Sequence, residues 1–69
     1  MTINTINLLH FLADELGNKP GRADYNKAAK QCKMTYQGVR YAVGVLERAG
    51  YIKISDGQIT VLQQSIKVG

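Results

Sequence analysis

The chain has a single cysteine and no long hydrophobic run, and these two absences narrow the kinds of protein that it can be. Cys32 alone excludes an intramolecular disulfide and a zinc site built from several thiolates. We expect it to pack as a small apolar residue near the end of the second helix. No basic segment precedes a continuous apolar stretch, so we expect neither a signal peptide nor a membrane span, and a cytoplasmic, nucleoid-associated location.

Acidic residues are few and scattered, which argues against an enzyme. The five acids are Asp14, Glu15, Asp24, Glu47 and Asp56. His10 is the one histidine, and neither Ser55 nor Ser65 has a histidine at a useful spacing. No glycine-rich loop that could cradle a phosphate is present. We therefore expect no catalytic residues, no metal, no cofactor and no small-molecule ligand.

Positive charge exceeds negative charge and is concentrated in one stretch. The net charge is +4 and the isoelectric point is about 9.5. Six of the nine basic residues lie between positions 19 and 40, namely Lys19, Arg22, Lys27, Lys30, Lys33 and Arg40. Only Asp24 opposes them within that stretch. Lysines usually belong to solvated helix faces, but this concentration favours an anionic partner such as nucleic acid.

The 69 residues are enough for one domain, and local signals divide it into five elements. Helix caps are expected from Asn4 or Thr5, Asp24 and Thr35, and Gly50 is expected to end the third helix. Asp56-Gly57 between two β-prone runs is a strong hairpin signal. The predicted elements are helix 1 (4–17), helix 2 (24–33), helix 3 (35–49), a hairpin (51–62) and a tail (63–69).

The third helix is predicted to have two distinct faces. At about 100° per residue, one side collects Val39, Ala42, Val43, Leu46 and Ala49. The opposite side collects Gln37, Arg40, Tyr41, Gly44 and Arg48, which carry positive charge and no acid. The first side is therefore a core stripe, and the second can meet an anionic partner.

The first helix is more apolar than one core face requires. Leu8, Phe11 and Leu12 add to the stripe of Ile6, Leu9, Ala13 and Leu16. A three-helix monomer needs one apolar face per helix. The C-terminal tail could cover the excess, but we favour a second subunit, which predicts a dimer surface at Leu8, Phe11 and Leu12. The alternative dimer contact is the C-terminal tail.

Residues 22 to 62 resemble the winged helix-turn-helix domains of the GntR-like and MarR-like transcription regulators. The resemblance lies in the run TYQGVRYAVGVLERAGYI, residues 35–52, whose matching positions are Val39, Ala42, Leu46, Glu47, Gly50 and Ile52. Arg40 falls on a position that contacts DNA in those families. Tyr36 and Gly38 depart from the pattern, so the base-reading code is not carried over. A domain this small is similar to phage, plasmid or archaeal-virus repressors and accessory factors.

The resemblance implies an α+β winged helix-turn-helix fold and sequence-specific binding of double-stranded DNA by a transcription regulator, such as a repressor, acting as a dimer. The base-reading residues expected on helix 3 are Gln37, Arg40, Tyr41 and Tyr36. The backbone contacts expected are Thr35, Lys27, Lys30, Lys33, Arg48 and Gly44, with a wing of Lys53, Asp56, Gly57 and Gln58. The alternatives are a protein-interaction module that uses helix 1, or a replication, partition or excision accessory factor.

Overall fold

The computed structural model describes residues 2–63, which form three helices followed by a two-stranded antiparallel sheet. The elements are α1 (Ile3–Leu16), α2 (Tyr25–Gln31), α3 (Tyr36–Arg48), β1 (Ile52–Ser55) and β2 (Gln58–Val61). This is the predicted α+β layout, and it is consistent with a winged helix. Apart from Gln63, the predicted tail lies outside the described residues, and so does any dimer contact assigned to it.

The first helix begins at Ile3, one residue earlier than predicted, because Thr2 rather than Asn4 or Thr5 is its cap. The hydroxyl of Thr2 accepts a hydrogen bond from the backbone N–H of Thr5 over 3.3 Å. The two threonine hydroxyls are also 3.0 Å apart. Thr5 is buried at this contact, so it belongs to the packed side of α1 and does not open the helix.

The turn between α2 and α3 is built on a lysine in the left-handed conformation. Asp24 caps α2, as predicted, because its Oδ1 accepts hydrogen bonds from the backbone N–H groups of Asn26 and Lys27. The helix then ends at Gln31 because Lys33 adopts a φ of 54°. The N–H of Met34 donates to the carbonyl of Ala29 over 2.8 Å, which closes a Schellman motif. Glycine is the usual residue at this position, so Lys33 holds a strained backbone.

The end of α3 uses the same motif, with the expected glycine. Gly50 has a φ of 86°, a conformation that costs glycine little. The N–H of Tyr51 donates to the carbonyl of Leu46 over 3.0 Å, and that of Gly50 donates to Glu47 over 3.1 Å. The chain therefore turns sharply into β1, as the sequence predicted.

The hairpin turns at Asp56 and Gly57, which confirms the prediction. Their φ values of 53° and 75° are those of a turn that matches the natural twist of two strands. Across the hairpin, Ile52 pairs with Val61 and Ile54 pairs with Ile59. Ile54 is only half-buried, and the other three are in the core.

An isolated β-bridge, which the sequence does not predict, joins the loop after α1 to β2 of the hairpin. The N–H of Gly21 donates to the carbonyl of Ile59 over 3.0 Å, and the N–H of Ile59 donates back over 2.8 Å. Both backbone groups of Ile59 therefore point away from β1. This pairing fixes the residues that precede α2 against the wing.

One hydrophobic core unites all five elements, and it contains the side chains that we had assigned to a dimer. Leu8 and Leu12 are at most 1% exposed, and Phe11 is 7% exposed. The prediction that these three face a second subunit is therefore wrong. α1 packs against α3, β2 and α2, so more than one of its faces is covered within one chain. The core residues are Leu8, Leu9, Phe11, Leu12, Ala28, Cys32, Val39, Ala42, Val43, Leu46, Ile52, Ile59 and Val61.

Replacing Lys33 by glycine should stabilise the protein. A residue with a Cβ loses roughly 1–2 kcal/mol in the left-handed region. Part of this is offset because glycine gives the unfolded chain more entropy. We expect the free energy of unfolding of Lys33→Gly to rise by about 0.5–1 kcal/mol, measured by urea denaturation followed by circular dichroism.

Lys33→Ala is the matched control, since it removes the same charge and keeps the Cβ. It should show no gain in the free energy of unfolding. Equal stability of the alanine and glycine variants would contradict the account of a strained turn.

Candidate nucleic-acid interface

The local sequence of α3 presents one face to solvent and buries the other. Thr35 caps the helix, as predicted, and its Oγ1 accepts from the N–H of Gly38 over 2.9 Å. The buried residues are Val39, Ala42, Val43 and Leu46. Ala49 was predicted to join them but is exposed at the C-terminal cap. Because α3 is anchored along this stripe, the orientation of its outer face is fixed.

The outer face of α3 is polar, positively charged and open. Gln37, Arg40 and Arg48 are exposed, and Tyr41 is 72% exposed. Glu47 is the only acid of the helix and lies two turns beyond Arg40. Within residues 2–63 no carboxylate forms an ion pair with either arginine. Both guanidinium groups therefore keep their full charge for a partner.

Tyr36 lies at the start of α3 and packs against Tyr25 of α2. Their ring centroids are 6.0 Å apart and the planes are inclined at 52°. Partial burial, and then the proximity of Tyr36, raises the pKa of Tyr25 above its usual value, while the charge of Arg40 acts in the opposite direction. The Tyr25 hydroxyl therefore remains a hydrogen-bond donor at neutral pH.

The three lysines of the second helix and its turn do not act as one set. Lys27 donates to Glu15 of α1 over 2.6 Å, and this hydrogen bond raises the pKa of Lys27. Its charge is thus partly neutralised on the side of α1. Lys30 and Lys33 are exposed and have no such partner among the described residues. The sequence could not show this difference, because Glu15 lies outside the basic stretch.

The predicted wing residues are exposed around the hairpin turn. Asp56 and Gly57 form its tip, and Gln58 follows at the start of β2. Lys53 pairs with Thr60 on the sheet face that points away from the core. A depression of about 250 Å³ lies beside the hairpin, lined by Pro20, Lys53, Ser55, Asp56, Gln58 and Thr60. The wing therefore offers one cation and one acid, which nearly cancel.

The guanidinium of Arg22 lies beside the wing tip, a position that the sequence does not predict. A Cβ built on Gly57 would lie 3.8 Å from Nη2 and 3.9 Å from Cζ of Arg22, so the guanidinium lies against the wing tip. No sequence pattern predicts this contact, because the residues around Gly21 do not alternate as a strand does. A cleft of about 310 Å³ opens here, lined by Arg22, Ala23, Asp24, Tyr25, Asn26, Tyr36, Gly57 and Ile59.

A second, more apolar groove separates the start of α1 from the middle of α3. Its volume is about 330 Å³, and its lining is Thr2, Asn4, Thr5, Met34, Gly38, Tyr41, Ala42 and Val45. Ile3, in the same first turn of α1, is 67% exposed. Tyr41 therefore belongs both to the outer face of α3 and to this groove.

Across residues 2–63, no three or more His, Cys, Asp or Glu side chains are grouped so that they could hold a metal ion. The helices of that same part of the chain are too short or too polar to cross a membrane. The thiol of Cys32 is buried in the core, and burial raises its pKa.

Gly44 should be replaceable by alanine with a gain in stability. Its added Cβ would meet nothing within 4 Å, so no contact inside the protein requires glycine there. Alanine is favoured over glycine in a helix by about 1 kcal/mol. We expect the melting temperature to rise by roughly 4–8 °C in a thermal unfolding experiment.

The comparison variant is Gly38→Ala, where the new Cβ would lie 3.1 Å from the capping Oγ1 of Thr35. Its gain should be smaller than that of Gly44→Ala, or negative. A larger gain at Gly38 would show that the cap does not constrain the helix start.

The chain matches no family model, no curated protein and no solved structure. A function for the outer face of α3 must therefore be inferred from its own exposure, charge and geometry.

Proposed function

We propose that this protein binds double-stranded DNA with α3 in the major groove, as a small transcription regulator of the winged helix-turn-helix kind. The observation that carries the proposal is the outer face of α3. It presents Gln37, Arg40 and Arg48 without an acidic partner, on a helix whose other face is anchored in the core. The resemblance to GntR-like and MarR-like domains supports the same mode.

Base recognition is assigned to the first half of α3. An α-helix fits the major groove, and the N-terminal part of such a helix reaches the base edges. Arg40 can donate two hydrogen bonds to guanine, and Gln37 can pair with adenine. Tyr36 and Tyr41 flank them and can contact a phosphate or a thymine methyl group. Gly44 lies on the same face, where the absence of a side chain allows close approach.

Phosphate contacts are assigned to the cations and donors that surround this face. Lys30, Lys33 and Arg48 are exposed and unpaired within the described part of the chain, and Thr35 lies at the helix start. Lys27 is expected to contribute less, because Glu15 already holds it. The wing, with Lys53, Asp56, Gly57 and Gln58, would lie over the adjacent backbone.

The working form is proposed to be a dimer on a two-fold site, because one domain of this size offers few base contacts. Leu8, Phe11 and Leu12 cannot supply the interface, since they are inside the core. The proposal includes repression as the regulatory role, no catalytic activity, and a cytoplasmic location at the nucleoid.

A second candidate is a protein-interaction module, and the groove beside α1 is the observation that favours it. This groove is mostly apolar, and the adjacent Ile3 is exposed. In that case the protein would have no affinity for DNA at moderate salt. An accessory factor for replication, partition or excision would combine this contact with DNA binding.

The test is binding of the pure protein to a fluorescent random-sequence duplex, followed by anisotropy at several salt concentrations. Neutralised phosphates release counterions, so the logarithm of the affinity should fall linearly with the logarithm of salt. The double variant Lys30→Ala/Lys33→Ala should reduce the magnitude of that slope by roughly 1.8, at about 0.9 for each phosphate contact. Absence of binding at low salt would contradict DNA binding and favour the interaction module.

The role of Arg40 is tested on a duplex selected for tight binding by the wild-type protein. Arg40→Ala should weaken binding to that site by roughly 1–3 kcal/mol and relax the preference at one base pair. On random duplex its effect should be only that of one lost charge. An unchanged preference would contradict the assignment of Arg40 as a base reader.

A further inference from the structure

The backbone around Arg22 is held firmly between the helices and the wing. Gly21 exchanges two hydrogen bonds with Ile59 of β2, at 3.0 and 2.8 Å. Three residues after Gly21, Asp24 caps α2. The backbone at Arg22 is therefore held in place where the wing, α2 and the start of α3 meet.

The guanidinium of Arg22 is exposed and has no carboxylate partner within residues 2–63. It lies against the wing tip, 3.8 Å from the position of a Cβ on Gly57. Asp24 is two residues away in the sequence, and Asp56 precedes Gly57 at the wing tip, yet neither forms an ion pair with Arg22. One oxygen of Asp24 is occupied by two backbone N–H groups, at 3.0 and 3.1 Å.

Two tyrosines and Asn26 also line the cleft, and their hydroxyl and amide groups can donate hydrogen bonds. Tyr25 and Tyr36 line the same space of about 310 Å³ and pack on each other. Arginine binds phosphate through two parallel N–H donors, and a tyrosine hydroxyl can add a third. The cleft is larger than a single phosphate group and opens beside the outer face of α3.

We propose that this cleft binds one phosphodiester group of the DNA backbone, held by Arg22 together with the Tyr25 and Tyr36 hydroxyls. The inference rests on the proposed function and adds to it a specific anion site. A phosphate there would contact the wing tip and both helices at once. It would therefore set the position of the duplex relative to α3, without reading its sequence.

Asp24 lines the same cleft, and its carboxylate repels a phosphate. Removal of this negative charge should therefore strengthen DNA binding. Asparagine caps helices as well as aspartate does, so Asp24→Asn removes the charge and keeps the cap. We expect Asp24→Asn to bind DNA several-fold more tightly than the wild-type protein. The charge-matched control is Asp14→Asn, on the exposed surface of α1 outside the cleft.

The main test is Arg22→Gln, with Lys27→Gln as the control that loses the same charge at a site held by Glu15. Anisotropy titrations on random duplex should show affinity reduced roughly tenfold at 0.1 M salt for Arg22→Gln, with a salt slope smaller by about 0.9. Lys27→Gln should change both quantities much less. Arg22→Lys should keep most of the slope and lose part of the affinity.

Each outcome decides between the cleft and the proposed function. Equal effects of Arg22→Gln and Lys27→Gln, in a protein that still binds DNA and needs Arg40, would overturn the cleft alone. Equal effects of Asp24→Asn and Asp14→Asn would do the same. A wild-type protein without affinity for any duplex would overturn both. Circular dichroism melting of each variant shows that a loss of binding is not a loss of folding.

Discussion

Burial of the inner face of α3 against α1 is the interaction on which the rest of the structure depends. Val39 and Leu46 are fully buried in the same core as Leu8 and Leu12. Each fully buried aliphatic side chain of this size contributes roughly 1.5–3 kcal/mol. Rotating α3 about its axis would expose several of them at once, at a cost comparable to the whole stability of a small domain, roughly 5–15 kcal/mol. The outer face of α3 is therefore a rigid surface, and a partner must fit it without rotation of the helix.

Local chemistry made most of the fold predictable, and tertiary pairing made the remainder unpredictable. Asp24, Thr35 and the Asp56-Gly57 turn act through hydrogen bonds or backbone angles within a few residues, so their roles can be read from the sequence. Gly21 pairs with a strand 38 residues away, and nothing in its neighbours indicates this. The apolar excess of α1 led to the wrong prediction of a dimer surface for a related reason. A helical pattern shows how much surface must be covered, but not whether the same chain covers it.

The charge of the candidate interface is also decided by tertiary contacts. Lys27 looks like its neighbours in the sequence, yet Glu15 holds it on the side of α1. Arg22 looks unremarkable, yet the pairing of the residue before it brings its guanidinium to the wing tip. Among the described residues, Lys27 has an acidic partner and Arg22 has none. The cations available to a partner therefore differ from those that the sequence spacing predicts. Tyr41 belongs to both the polar face and the apolar groove, so the proposed DNA and the alternative protein partner would compete for one surface.

The most direct measurement of the central claim is a titration of the isotope-labelled protein with duplex DNA, followed through its amide NMR signals. The account predicts saturable shifts concentrated along α3 and at the wing tip, with Arg22 among the affected residues. The exposed surface of α1 around Asp14 should stay unchanged. Saturable shifts confined to the first turn of α1, or no shifts at low salt, would contradict the claim that the outer face of α3 is a DNA-binding surface.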